Sequence, residues 1–263
     1  MKIYQIDTFT DVAFKGNAAA VCILEKDYDD LTLKNIAMEM NLSETAFLKQ
    51  VSDNVFNLRW FTPEVEVSLC GHGTLASAHL LWENGIVKED EMIYFKTLSG
   101  TLAAKKKEEW IELDMPKGNL IESEGDDILF ESLKINPKSI YEDEIVYLLE
   151  FNSEEEITKL SPDFNLLKKA RKEEIIVTSI CENEGYDFVS RFFGPAIGVD
   201  EDPVTGSAHC YLAPYWIERL EKDEVLGFQA SRRTGCVKCK LNEDRVLIQG
   251  KAKTILKGVL EIQ

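Results

Sequence analysis

The sequence predicts an α+β protein of two pseudo-symmetric, strand-rich lobes, and three observations carry that prediction. Short runs of alternating or continuous apolar residues fill the first half, with few helical patterns between them. A stretch of that half recurs in register in the second. In both copies a strand leads through a glycine-bearing turn into a helix.

Ile3 to Phe9 alternates and ends toward the Gly16-Asn17 turn, after which Ala18 to Leu24 reads as a buried strand. Residues 31–40 have helical spacing, with Leu33, Ile36, Ala37 and Met40 on one side. Thr45 to Val51, Val55 to Phe61, Met92 to Thr97, Thr101 to Ala104 and Trp110 to Leu113 read as short strands.

Arg59-Trp60-Phe61-Thr62-Pro63 is matched by Arg191-Phe192-Phe193-Gly194-Pro195 at an offset of 132 residues. The same offset pairs Val65 with Ile197, Val67 with Val199, Cys70 with Asp202, Ala76 with Ala208 and Leu80 with Leu212. Ser99-Gly100 meets Thr234-Gly235 at an offset of 135, a drift that one small insertion explains. A period of half the chain is too long for a solenoid and implies duplication of a whole lobe. Residues 1–118 and 119–263 are the expected lobes, the last strand being a candidate to pack with the first lobe, and a crevice is expected between them.

Thirty basic against 47 acidic residues give a net charge of −17, which sets the surface against nucleic acid and anionic membranes. The first residues lack the apolar core of a signal peptide, and no stretch approaches ~18 uninterrupted apolar residues. A soluble cytoplasmic protein is the expectation. Six cysteines are too sparse for a disulfide scaffold and read as free thiols. Cys236 and Cys239 lie in a strand pattern, where residues three apart point to opposite faces, so they read as strand cysteines and not as metal ligands.

The two strand-turn-helix segments are Ser68-Leu69-Cys70-Gly71-His72-Gly73-Thr74 and Asp200-Glu201-Asp202-Pro203-Val204-Thr205-Gly206-Ser207. A helix start presents free backbone N–H groups and a partial positive charge, so it suits a carboxylate or a developing oxyanion. Cys70, Gly71, Gly73, Thr74, Thr205 and Gly206 are therefore candidates to bind a small anionic metabolite. All three histidines fall in these segments or the helices that follow them: His72 in the turn, where an imidazole can exchange a proton near neutrality, and His79 and His209 within the expected helices, where packing is expected. Asp202 and Ser207 read either as helix-start residues or as substrate contacts. A metal held by Cys70, His72 and Asp202 has no compact ligand signature behind it, and no metal is expected. Spacing alone makes Glu44 a surface residue in a helix-to-strand turn.

Taken together, Ile6-Asp7-Thr8-Phe9-Thr10, Phe14-Lys15-Gly16-Asn17-Ala18-Ala19-Ala20-Val21, Asn41-Leu42-Ser43-Glu44-Thr45-Ala46-Phe47 and the two turn motifs resemble the PhzF-like family of phenazine biosynthesis, whose fold is that of diaminopimelate epimerase. The resemblance spans nearly the whole chain in family order. It implies two lobes, each a curled β-sheet around a central helix, with the helices beginning near Gly73 and Gly206, and a homodimer. It also implies a cofactor-free isomerase in which Glu44 transfers the proton, assisted by His72, Asp202 and Ser207. Two departures, Ala18 after Gly16-Asn17 and the segment Gln229 to Gly235, point to a substrate other than the phenazine precursor. The alternatives are an amino-acid racemase or epimerase using Cys70 as a base, and a non-catalytic metabolite-binding protein on the same fold.

Overall fold

Alternating apolar side chains make Lys2–Thr8 (β1) a strand, and Gly16, at φ 65°, turns the chain into Asn17–Ile23 (β2). A Cβ at Gly16 would lie 2.0 Å from the Thr8 carbonyl oxygen, so only glycine fits this turn. The computed structural model describes residues 1–182 and 185–262. It continues with the helix Asp30–Met40 (α1), the strands Glu44–Ser52 (β3), Val55–Phe61 (β4) and Glu66–Val67 (β5), and the helix Gly71–Glu83 (α2). Ile93–Thr97 (β6), Gly100–Lys107 (β7) and Trp110–Pro116 (β8) follow.

A second unit then begins, with Ile121–Glu122 (β9), Asp127–Leu133 (α3), Ser139–Glu142 (β10), Val146–Glu150 (β11), Glu154–Lys159 (α4) and Phe164–Leu167 (α5). Glu174–Ile180 (β12), Phe188–Gly194 (β13), Val199–Asp202 (β14), His209–Leu220 (α6), Glu224–Gln229 (β15) and Gly235–Asn242 (β16) complete it, Arg245–Gly250 (β17) carries the chain back into the first unit, and Ala252–Val259 (β18) ends the strands. The units are Met1–Met115 with Leu247–Gln263, and Pro116–Val246. The C-terminal strand returns to the first unit at Leu247. That return exists because β18 pairs antiparallel with β1 and covers what would otherwise be an open edge.

In the first unit β1 pairs with β2, β2 runs parallel to β3, β3 antiparallel to β4, β4 parallel to β6, and β6 antiparallel to β7. Helix α1 packs Leu33, Ile36 and Ala37 against Ile3, Ala20, Cys22 and Phe47 on one face of this sheet. Helix α2 packs against β1, β2, β3 and β18. Covered on both faces, β2 needs no polar side and reads as a continuous apolar run. Helix α2 itself is buried almost throughout, which its small residues Gly73, Ala76, Ser77 and Ala78 permit.

The second unit repeats the scheme: β11 parallel to β12, β12 antiparallel to β13, β13 parallel to β15, and β15 antiparallel to β16. Leu129, Leu133, Ile157 and Leu167 of its short helices pack against Tyr147, Leu149, Val177 and Phe193. Helix α6 packs against β15 and β16. The architecture is α+β and sheet-dominated, with the same topology in both units.

Registers refine the duplication. Phe61 faces Glu66 across the β4–β5 pairing, and Trp60 faces Val67. In the second unit Phe192 faces Asp202. Since Trp60 and Phe192 correspond, Val67 is the counterpart of Asp202, and the constant-offset match of Cys70 with Asp202 is corrected. The turn containing Pro195–Ile197 supplies the extra residues. Side chains support this: Arg59 grips Glu66 through two nitrogens at 2.7 and 2.6 Å, and Arg191 grips Glu201 at 2.7 and 3.0 Å.

Candidate active site

Two local stops bring the first-unit residues together. Helix α1 ends at Asn41 in the left-handed region (φ 49°), so that three residues later Glu44 opens β3, paired to Ala19 of β2. Glu44 is thus a strand residue rather than a turn residue. Cys70, in extended backbone, caps α2: its Sγ accepts from the Gly73 N–H at 3.2 Å. The helix therefore starts at Gly71, two residues before the expected Gly73, and His72 sits in its first turn.

There the His72 Nε2 lies 2.9 Å from the Glu44 Oε2, with the side chains 7% and 19% exposed. Oε2 is buried and has no aligned hydrogen bond, so charge rather than hydrogen-bond geometry holds this pair. His72 Nδ1 is 3.6 Å from the Cys70 Sγ and 3.4 Å from the amide nitrogen of Asn17. The Thr74 hydroxyl donates to the Cys70 carbonyl at 2.5 Å. A Cβ at Gly73 would fall 2.8 Å from the Trp60 ring and 3.0 Å from the Cys70 Sγ. Gly73→Ala is therefore expected to destabilise the protein by about 1–3 kcal/mol through overpacking, read in urea unfolding.

Burial pushes the His72 imidazole toward lower pKa, but the Cys70 sulfur and the Glu44 carboxylate outweigh it and hold the proton well above the usual 6.5. Burial raises the Cys70 thiol, with His72 opposing and Glu44 adding to the rise, so Cys70 gives up its proton less readily than a free thiol. A raised His72 contributes stability that is intact below 6.5, the unfolded value, and lost as pH rises through the folded value. Urea unfolding from about pH 6 to 9 is expected to show that loss, and Glu44→Gln to flatten it.

In the second unit Asp202 ends β14 and is buried. Its Oδ2 accepts from the Thr205 hydroxyl at 2.5 Å. Gln229, fully buried, ties the segment: its Oε1 accepts from the Thr205 N–H at 2.9 Å, and its Nε2 donates to the Asp202 carbonyl at 2.9 Å and to the Thr205 hydroxyl at 3.2 Å. The Ser231 hydroxyl donates to the Pro203 carbonyl at 2.6 Å. Gly206 and half-buried Ser207 lie in a tight turn, and α6 begins at His209, three residues after the expected Gly206. That turn bonds His209 N to the Gly206 carbonyl and Cys210 N to the Ser207 carbonyl. His209 packs as expected: its Nδ1 donates to the Thr205 carbonyl at 2.8 Å, and burial lowers its pKa to about 4.

The structure thus gathers Glu44, Cys70 and His72 in one unit, and Asp202 and Thr205 in the other. Asn17, Trp60 and Gln229 were not singled out as site residues by spacing. Asn17 and Gln229 lay inside segments already notable, but only the strand register shows what their amides reach. The donor atoms of Glu44, Cys70 and His72 lie within 4.8 Å of one another, a set able to hold a cation in competition with the His72 proton.

A family model described as phenazine biosynthesis-like protein matches residues 6–258. The chain belongs to that family. It is 50% identical over 263 residues to an uncharacterized isomerase of Halalkalibacterium halodurans, covering 98% of this chain and 97% of that one. A crystal structure of a PhzF-family phenazine biosynthesis protein of Enterococcus faecalis superposes with a TM-score of 0.91 at 40% identity, covering 98% of this chain and 97% of that chain. At 9% identity a probable proline racemase of Agrobacterium radiobacter shares the fold, with a TM-score of 0.65 over 100% of this chain and 93% of that one. These likenesses make this member of the family an isomerase on an α+β, racemase-like fold. No helix among the described residues is long and apolar enough to cross a membrane.

Proposed function

We propose that the protein moves a proton on a small carboxylate-bearing substrate, with Glu44 as the acid and base and no cofactor. The observation that carries this reading is the Glu44–His72 pair, 2.9 Å apart, with one carboxylate oxygen buried and unaligned to any hydrogen bond. A carboxylate held beside an imidazole in this way can take a proton from a substrate and return it. His72, holding its own proton firmly, supplies positive charge beside the carbanion-like charge that develops. Gly71, Gly73 and Thr74 frame the first turn of α2, whose N-terminus suits the carboxylate of the substrate. In this reading Asp202 and Ser207 assist, and Thr205 and Gly206 add substrate contacts. The pinning of Asp202 by Thr205 supports a fixed role for that carboxylate.

A panel of small carboxylic acids with an activated C–H bond, incubated with enzyme in D2O and read by mass spectrometry, tests the reading. Deuterium incorporation into one member is the expected result. Tight binding without exchange at any carbon overturns it in favour of a binding protein. A Cys70 racemase is disfavoured because burial raises the thiol and its sulfur is committed to capping α2. Cys70→Ser, whose hydroxyl also caps a helix, is expected to keep exchange within about tenfold of the wild type. Loss to background in that variant would instead make Cys70 the base. A homodimer belongs to the same proposal and is read by light scattering.

A further inference from the structure

The strand register reveals a second carboxylate in the position that Glu44 occupies. Thr45 faces Phe61 across β3–β4, and Ile175 faces Phe193 across β12–β13. Phe61 and Phe193 are the corresponding residues of the duplicated Arg-aromatic-Phe motif. Thr45 and Ile175 therefore correspond, and so do the residues before them, Glu44 and Glu174. The other edge agrees: Glu44 and Glu174 each open a strand that runs parallel to its neighbour, paired to Ala19 and Val146. The local offset here is 130 rather than 132, which is why the sequence match does not expose it.

We propose that Glu174 is the second unit's acid–base carboxylate, the counterpart of Glu44, working beside Asp202 and the first turn of α6. This rests on the isomerase reading above and adds a second proton-carrying group to it. The titratable groups coupled to Glu174 by charge are the adjacent Glu173, Asp202 of β14, and Cys210 and Tyr211 of α6. Among the described residues it is paired with no Lys, Arg or His. Burial above all, then the charges of Glu173 and Asp202, raise its pKa to about 7, where a carboxyl can both give and take a proton at neutrality. In the first unit the corresponding glutamate has a histidine beside it. In the second the charges acting on it are those of other carboxylates. The corresponding glutamates of the two units thus sit in opposite electrostatic settings, one beside an imidazole and one among carboxylate charges.

A group held this way costs the folded state. A carboxyl raised from 4.5 to about 7 binds its proton more tightly when folded, so stability falls as pH rises from 4.5 through 7 and stays reduced above it. Glu174→Gln removes that loss. Its expected signature is a higher Tm than the wild type at about pH 8 and no gain near pH 4.5, with exchange activity lowered at least tenfold on the panel above.

Carboxyl-carbon NMR of the intact protein provides the reading that needs no substrate. One glutamate resonance, absent in Glu174→Gln, should titrate near 7 and move toward the ordinary value in Asp202→Asn. A Glu174 resonance titrating near 4.5, or an unchanged Tm at about pH 8, overturns the proposal whatever the fate of the isomerase reading. An NMR result as expected, with exchange at the wild-type rate in Glu174→Gln, also overturns it, because the group would then be a proton site without a part in the reaction. If Glu44→Gln keeps wild-type exchange, the isomerase reading fails instead.

Discussion

Glu44→Gln is expected to lower the rate of hydrogen exchange into substrate by about 10²–10⁴-fold, the range that a positioned general base contributes. The amide has the shape of the carboxylate but cannot take the proton. Because Glu44 lies at the start of β3 and is partly exposed, the fold should lose only the stability that its charge lends through His72. The variant also removes one of the two groups that lift His72, so the imidazole should titrate at lower pH in nitrogen NMR. The two readouts separate explanations. A slow variant with an unchanged His72 titration would mean that Glu44 acts on substrate without electrostatic coupling to His72. A wild-type rate would sink the assignment of Glu44.

How the sequence relates to this site is clearest in what spacing sees. Val55 to Phe61 reads as a strand from its pattern and is one, and the helix at 31–40 differs from α1 by a single residue. Both have one face against a core, and that alone produces periodicity. Glu44 has no such signal. It is the first residue of β3, and what distinguishes it is a histidine 28 positions later that the first turn of α2 places 2.9 Å away. The family resemblance singles out Glu44, and packing explains it.

The duplicated lobe shows the same limit from another side. Matching at one fixed offset detects Arg59 against Arg191 because the runs Arg59 to Pro63 and Arg191 to Pro195 have equal length. It fails wherever a turn gains residues. The Pro195–Ile197 turn shifts the following hairpin, so Glu201 takes the role of Glu66, and Asp202 that of Val67. Hydrogen-bond register, not residue number, defines equivalence in a sheet. Helix starts are displaced for a related reason. Cys70 supplies a side-chain cap and begins α2 early, whereas α6 has no side-chain cap and is entered through a tight turn.

Gln229→Ala is expected to cost about 3 kcal/mol or more of folding stability, the largest single loss among the variants considered. The side chain is fully buried and makes three hydrogen bonds, to the Thr205 N–H, the Thr205 hydroxyl and the Asp202 carbonyl. Removing it leaves a cavity and strips those groups of a partner that water must replace in a closed space. The damage should reach the candidate chemistry as well, since the Thr205 hydroxyl that Gln229 holds is the one that donates to Asp202. Gln229→Glu separates the two effects. It keeps the volume and the acceptor for the Thr205 N–H but loses the donor and sets negative charge against the Asp202 carbonyl. A urea midpoint near that of the alanine variant would show that the donor function dominates. A midpoint near the wild type would show that filling the cavity matters more than holding Asp202.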